Sequence, residues 1–229
     1  FIDASGSIVA GSGATLSAES DIYLATDLEA GTDLSVDSSS GGIFASGEIT
    51  AGGAGTLTAD GGVELLGELG TAGDLSVISR LGSITASGYL FSESGGAALS
   101  AAGNINLAGT LEGLTDLSLT SSAGDITLGE YGSMYTPSGD IALTAESGNI
   151  TTSGYLQSGG AALSAAGDIN VADTASLNVT SDLSLTSSGG NITTRSNDFS
   201  GDAVALTAET GFIDASGSIV AGSGATLSA

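Results

Sequence analysis

Cysteine, histidine and tryptophan are absent from this chain of 229 residues, and proline occurs once, at Pro137. Without cysteine or histidine there is no disulfide framework, no Ser-His-Asp or Cys-His nucleophile, and no thiolate or imidazole zinc site. Positive charge is almost missing: Arg80 and Arg195 face 26 acidic residues, for a formal net charge of -24. A polyanion of this kind is repelled by nucleic acid and by anionic membrane surfaces, so neither is an expected partner. No apolar run reaches the length needed to cross a bilayer, so no membrane insertion is expected.

What the chain does have is 38 glycines and 41% hydrophobic residues, with only 4% aromatic. That much glycine is foreign to coiled coils, and its spacing is not collagen's strict third position. It accompanies repetition instead. Residues 1–18, from Phe1 to Ala18, return unchanged as residues 212–229. The chain is therefore expected to be a single segment, 1–229, cut from a tandem array. Residues 1–211 are one unit, and 212–229 begin the next identical one.

Inside the long unit lies a shorter period. Ile2, Ile22, Ile43, Val63, Ile84, Ile105, Ile126, Ile150, Ile169, Ile192 and Ile213 recur at spacings of 19 to 24 residues, making ten coils per unit. Each is usually preceded by Gly and then Asp, Asn or Gly, as in Gly103-Asn104-Ile105 and Gly124-Asp125-Ile126, which read as turn then strand. Asp and Asn alternate along 104, 125, 149, 168 and 191. Stacked carboxylates would repel, whereas interleaved amides relieve that repulsion and donate hydrogen bonds.

A second apolar position follows six residues later, at Ile8, Leu28, Ile49, Leu69, Leu90, Leu111, Leu156 and Ile219, and is blurred in three coils. A third is leucine every time: Leu16, Leu34, Leu57, Leu75, Leu99, Leu117, Leu143, Leu163, Leu183, Leu206 and Leu227. A hydroxyl residue and another aliphatic or alanine follow each leucine, the alternation of a strand with one buried face. In the aliphatic column, small and large residues partly alternate: Ala18, Val36, Ala59, Val77, Ala101, Leu119. Three short strands in about 21 residues, divided by glycine-rich turns, predict an all-β fold, a parallel β-helix or β-solenoid. Its coils must stack to bury a core. At roughly 4.8 Å per coil, ten coils make a rod of roughly 48 Å.

Gly-Asp-Ile-Thr-Leu (124–128), Gly-Asn-Ile-Thr-Thr (148–152), Gly-Asn-Ile-Asn-Leu (103–107) and Asp-Leu-Ser-Leu-Thr-Ser (116–121 and 182–187) resemble the shaft repeats of filamentous haemagglutinin-like proteins. These are large bacterial surface or secreted proteins exported by two-partner secretion. The resemblance implies a right-handed β-helix, a location outside the cell or on its surface, and an adhesive or fibre-forming role.

Two features stand out as candidate contact surfaces. One is the exposed hydroxyl ladder Ser17, Ser35, Thr58, Ser76, Ser100, Ser118, Thr144, Ser164, Ser184, Thr207 and Ser228. The other is the irregular segment 129–138 in the longest coil, holding the only methionine and the only proline. There Tyr131, Met134 and Tyr135 are the expected contacts. Catalysis is not expected, because the acids scatter through many turns and Arg80 and Arg195 fall in distant coils. No stretch fits the calcium-binding nonapeptide of β-rolls. No cofactor is expected beyond divalent cations held loosely by turn carboxylates.

The functional expectation is a non-catalytic rod segment of a long repetitive extracellular fibre or giant adhesin. Its partners would be further copies of the repeat in line along the axis. The alternative is a binding module that recognises a glycan or another cell's surface through an exposed strand face or segment 129–138.

Overall fold

A computed structural model describes residues 1–229 as 31 strands with no helix. Every pairing is parallel and joins one coil to the next. The chain is a β-solenoid of about eleven coils, three strands to a coil. First strands such as Ile22–Leu24 and Ile43–Ala45 form an 11-stranded sheet. Second and third strands belong to a 20-stranded sheet, joined at the last two coils. There Asp198–Ala208 and Ile219–Ser228 run through the corner as single long strands.

The first-strand column is as expected: Ile2, Ile22, Ile43, Val63, Ile84 and their successors to Ile213 lie in direct register. In the second column, the three blurred positions are filled by Met134, Leu177 and Phe199, each essentially inaccessible to solvent. These side chains form one continuous core of 53 buried residues, against which the partly buried Ile2 and Ile213 pack at the ends. A strand of three to five residues cannot bury a face alone, so that continuity is what stabilises the chain.

The third column departs from the sequence expectation. Leu16 stands opposite Val36, and Val36 opposite Leu57, so Leu34 is not part of Leu16's stack. Leu34, Leu75, Leu117 and Leu183 sit one inward position earlier, in a column that reads Ala14, Leu34, Gly55, Leu75, Ala97, Leu117, Ile141, Ala161, Leu183, Val204, Ala225. The presumed single leucine column is two columns, offset by two residues. A two-residue slip leaves every side chain on its own side of the strand, so alternation alone could not reveal it. A large-small alternation belongs to this earlier position from Ala14 to Leu117, where leucine faces alanine or glycine across neighbouring coils and keeps the core volume level; beyond it Leu117 faces Ile141 and Leu183 faces Val204. Wherever leucine occupies it, serine ends the strand: Ser38, Ser79, Ser121 and Ser187, all buried.

Those serines close the corner into the next coil. The Ser121 hydroxyl donates to the Gly103 carbonyl (2.8 Å) and accepts from the Gly124 amide (3.0 Å). Ser187 does the same with Gly167 and Gly190. Beside them runs a ladder of Asx side chains. Asn104 Oδ1 accepts the Asp125 amide (2.9 Å), Asp125 Oδ1 the Asn149 amide (2.8 Å), Asn149 Oδ1 the Asp168 amide (2.7 Å), and Asp168 Oδ1 the Asn191 amide (2.7 Å). Asn149 and Asn191 also donate their side-chain amides to the carboxylate below, at 3.0 and 3.2 Å. The alternation of acid and amide thus works as electrostatics requires.

No glycine in the chain has positive φ. Glycine marks the corners here because the coils approach each other closely. At the corner between first and second strands, Gly47, Gly67, Gly88 and Gly109 stack in successive coils. A Cβ on Gly67, Gly88 or Gly109 would drive into the carbonyl oxygen of the glycine beneath it, and one on Gly47 into the backbone of Thr26.

Candidate binding surface

The core fixes which side chains point outward, and the three strand columns then differ in what they offer. On the third strand two outward columns run side by side. Ser17, Asp37, Thr58, Ile78, Ser100, Thr120, Thr144, Ser164, Thr186, Thr207 and Ser228 form one. Thr15, Ser35, Thr56, Ser76, Ala98, Ser118, Ala142, Ala162, Ser184, Ala205 and Thr226 form the other. The predicted hydroxyl ladder is therefore split: Ser35, Ser76, Ser118 and Ser184 belong to the second column and the remaining seven to the first. The cause is the same two-residue offset. Five of the eleven (Ser17, Ser35, Ser100, Ser164 and Ser228) are exposed and six half-buried. The face carries no aromatic residue.

Segment 129–138 is more regular than its sequence suggested. Its residues Ser133–Tyr135 form a strand in register with Thr110 to Glu112 on one side and Tyr155 to Gln157 on the other. Met134 is 0% exposed and fills the core, so it is not a contact residue. Its unbranched thioether suits a column otherwise made of leucine, isoleucine and, at Phe199, one aromatic ring. The extra length is absorbed at the corner before it. There Gly132 donates to Gly129 (2.9 Å), leaving Tyr131 84% exposed at the tip. Tyr135 is half-buried on the strand face. The three predicted contacts thus part into one tip residue, one core residue and one face residue.

The second-strand face is where distinctive side chains collect, and sequence reasoning missed it. Reading up its outward column gives Val9, Glu29, Thr50, Gly70, Phe91, Glu112, Tyr135, Gln157, Asn178, Ser200 and Val220. Phe91 leans over Gly70, where a Cβ would collide with the ring. Tyr89 stacks on Phe91 with centroids 5.1 Å apart. The Tyr89 hydroxyl donates to Glu112 Oε2 (2.5 Å). That bond, with burial and the Glu112 and Glu68 charges, pushes the phenol up to about 12. Burial first, then the Asp198 charge, raises Tyr155 further along the same face.

Along the corner between second and third strands, small residues leave a valley. A depression of about 340 Å³ is floored by Gly31, Gly52, Gly70 and Ala72 and flanked by Glu29 and Glu93. A second of about 320 Å³ follows in line, walled by Tyr89, Glu112, Leu114 and Pro137. Phe91 and Glu93 border both. On the first-strand face Tyr23 and Phe44 stack at 5.0 Å beside the half-exposed Leu66. The Asp21 charge raises the Tyr23 phenol.

Cationic chemistry is confined to one place of note. Arg80 bonds Asp60 (3.1 Å) and lies 3.6 Å from Asp37, spanning three coils. No three acidic residues converge to enclose a metal ion, and no helix is present that could cross a membrane. Set beside known protein families, curated proteins and solved structures, the chain matches no family model, no curated protein and no solved structure, so what bears on its function is this geometry.

Proposed function

We propose that the chain is a structural rod segment of a long repetitive fibre or giant adhesin outside the cell, in which stiffness and extension are the function. One observation carries this reading: the seam between one repeat unit and the next keeps the apolar columns of neighbouring coils in line. Residues 212–229 repeat residues 1–18, and they stack in parallel on the preceding coil with the apolar columns in line, across one register shift between Gly201 and Ala203. Ile192 faces Ile213, Phe199 faces Ile219 and Leu206 faces Leu227. A unit that ends by restarting its own sequence in the correct register extends indefinitely without a new interface. The continuous core resists bending, because no gap divides one coil's apolar contacts from the next. The acidic turns keep a long apolar-cored rod soluble.

The test is to produce chains carrying one, two and four copies of residues 1–211 and to image them by electron microscopy. The rod reading requires unbranched particles whose length grows by roughly 48 Å per copy on the coil spacing. Compact particles strung like beads, or lengths that do not scale with copy number, overturn it. Cleavage of the native protein by protease added to intact source cells tests the external location.

A further inference from the structure

We infer that the valley between the second and third strands, from Glu29 to Pro137, is a binding groove for a neutral oligosaccharide lying along the rod axis. The inference stands apart from the fibre reading, since a groove of this kind serves a rod of any length.

Three observations converge. The first is shape: two depressions in line, bordered in common by Phe91 and Glu93, make an extended trough with a low rib, suited to a linear chain. Its floor is built of small residues, Gly31, Gly52 and Ala72 in line at the corner and Gly70 on the adjoining strand. The second is the aromatic pair. Tyr89 and Phe91 stack on each other and Phe91 rests over Gly70, so the rib is held in place before a ligand arrives. Aromatic rings present apolar surface to the C–H faces of sugar rings at low entropic cost. The third is polarity. Glu29, Glu93 and Glu112 offer carboxylate oxygens, and Thr50 a hydroxyl, around a trough without a cation. Carboxylates accept hydrogen bonds from sugar hydroxyls and form strong, charge-assisted ones. The same carboxylates reject sulfated, sialylated or uronate chains, which narrows the ligand to uncharged sugars. Arg80, which could have favoured an anion, is engaged by Asp60 and Asp37 away from the groove.

The rival occupant is a basic peptide, which would satisfy the carboxylates but has no particular use for the stacked rings. Calorimetric titration of the full chain with cello-, xylo-, malto- and chito-hexaose, and separately with polylysine, decides between them. At least one neutral hexaose should bind, and Phe91→Ala should weaken it by about tenfold or more. Gly70→Val, which raises the floor and displaces the ring, should weaken it comparably, while Ser118→Ala on the third-strand face should leave it unchanged. Circular dichroism of each variant checks that the solenoid persists, and Glu93→Gln supplies a milder probe if Phe91→Ala unfolds. The inference is overturned if no hexaose binds. It is also overturned if binding is indifferent to the folded Phe91, Gly70 and Glu93 variants, or if polylysine alone binds with a steep loss on adding salt.

Discussion

The second and third strands of each coil follow one another across a corner and bury equivalent apolar columns, yet their outward faces have little in common. The third-strand face repeats serine, threonine and alanine for its whole length, interrupted only by Asp37 and Ile78. The second-strand face carries glutamates, a bare glycine, Phe91, Tyr135 and Gln157 in succession, with Tyr89 and Tyr155 just beside them. Both faces rest on the same continuous apolar core, so the core does not dictate the contrast. It shows that the inward positions and the corners hold the rod together, while the outward positions are free of the core's demand for apolar side chains. A variable face on an otherwise monotonous rod is where recognition is to be sought.

The contrast would break if corner glycines proved as replaceable as outward residues. Gly88→Val should have the largest effect, because its Cβ would drive into the carbonyl oxygen of Gly67, a backbone atom with nowhere to move. We expect a loss of about 4 kcal/mol or more, or a chain that does not assemble its central coils. The urea midpoint measures it, and a variant within experimental error of the parent would refute the close-approach explanation. Next in size is Ser121→Ala. It removes a buried hydroxyl that serves both the Gly103 carbonyl and the Gly124 amide, at about 2 kcal/mol. The outward Ser118→Ala, three residues earlier, should stay within about 0.5 kcal/mol.

A change in the opposite direction sharpens the same division. Of the buried hydroxyls, those of Thr152 and Thr194 have no hydrogen-bond partner. Both lie at the inward end of a first strand, where other coils place Ala4, Leu24, Ala45 or Val171. Thr152→Val keeps the shape and removes the unpaired group, and should stabilise by about 1 kcal/mol. Destabilisation would mean that the hydroxyl has a partner after all.

How much of this was legible in the sequence follows from the period of a strand. The first column could be read outright, since glycine and Asx announce its corner and isoleucine almost always fills it. The third column could not, because leucine at either of two inward positions satisfies alternation. A signal was nevertheless present. Leu16, Leu57 and Leu99 stand six residues before the next first-strand isoleucine or valine, whereas Leu34, Leu75 and Leu117 stand nine before it. Val36, Val77 and Leu119 stand seven before it, closer to that distance than the leucines, the one extra residue being taken up in a longer corner. Segment 129–138 misled for a related reason: Met134 breaks the Leu/Ile habit of its column but is as apolar as what it replaces. The groove was hidden because Glu29, Gly70 and Phe91 are scattered in sequence, and only stacking at about one coil per 21 residues aligns them.

The smallest effect concerns Tyr89, and it asks whether the second-strand face is organised before any ligand binds. Its phenol is raised to about 12, first by the hydrogen bond to Glu112, then by burial and by the Glu112 and Glu68 charges. A raised value means that the folded chain holds the proton more tightly than the unfolded one. The contribution to stability is therefore complete below the ordinary tyrosine value of about 10 and disappears as pH rises through about 12. Because Tyr89 is 39% exposed, solvent screens the interaction, and the energy at stake is small. Phenolate absorbance measures the titration directly. Of the three raised phenols, Tyr23, Tyr89 and Tyr155, that of Tyr89 should ionise last, and Tyr89→Phe should remove that late component. Glu112→Gln should bring it earlier by deleting the charge while leaving an acceptor in place. If Glu112→Gln leaves the late component where it was, then the two side chains do not hold each other in solution. The rib formed by Tyr89 and Phe91 would then be loose, and the face would lose its claim to being preorganised.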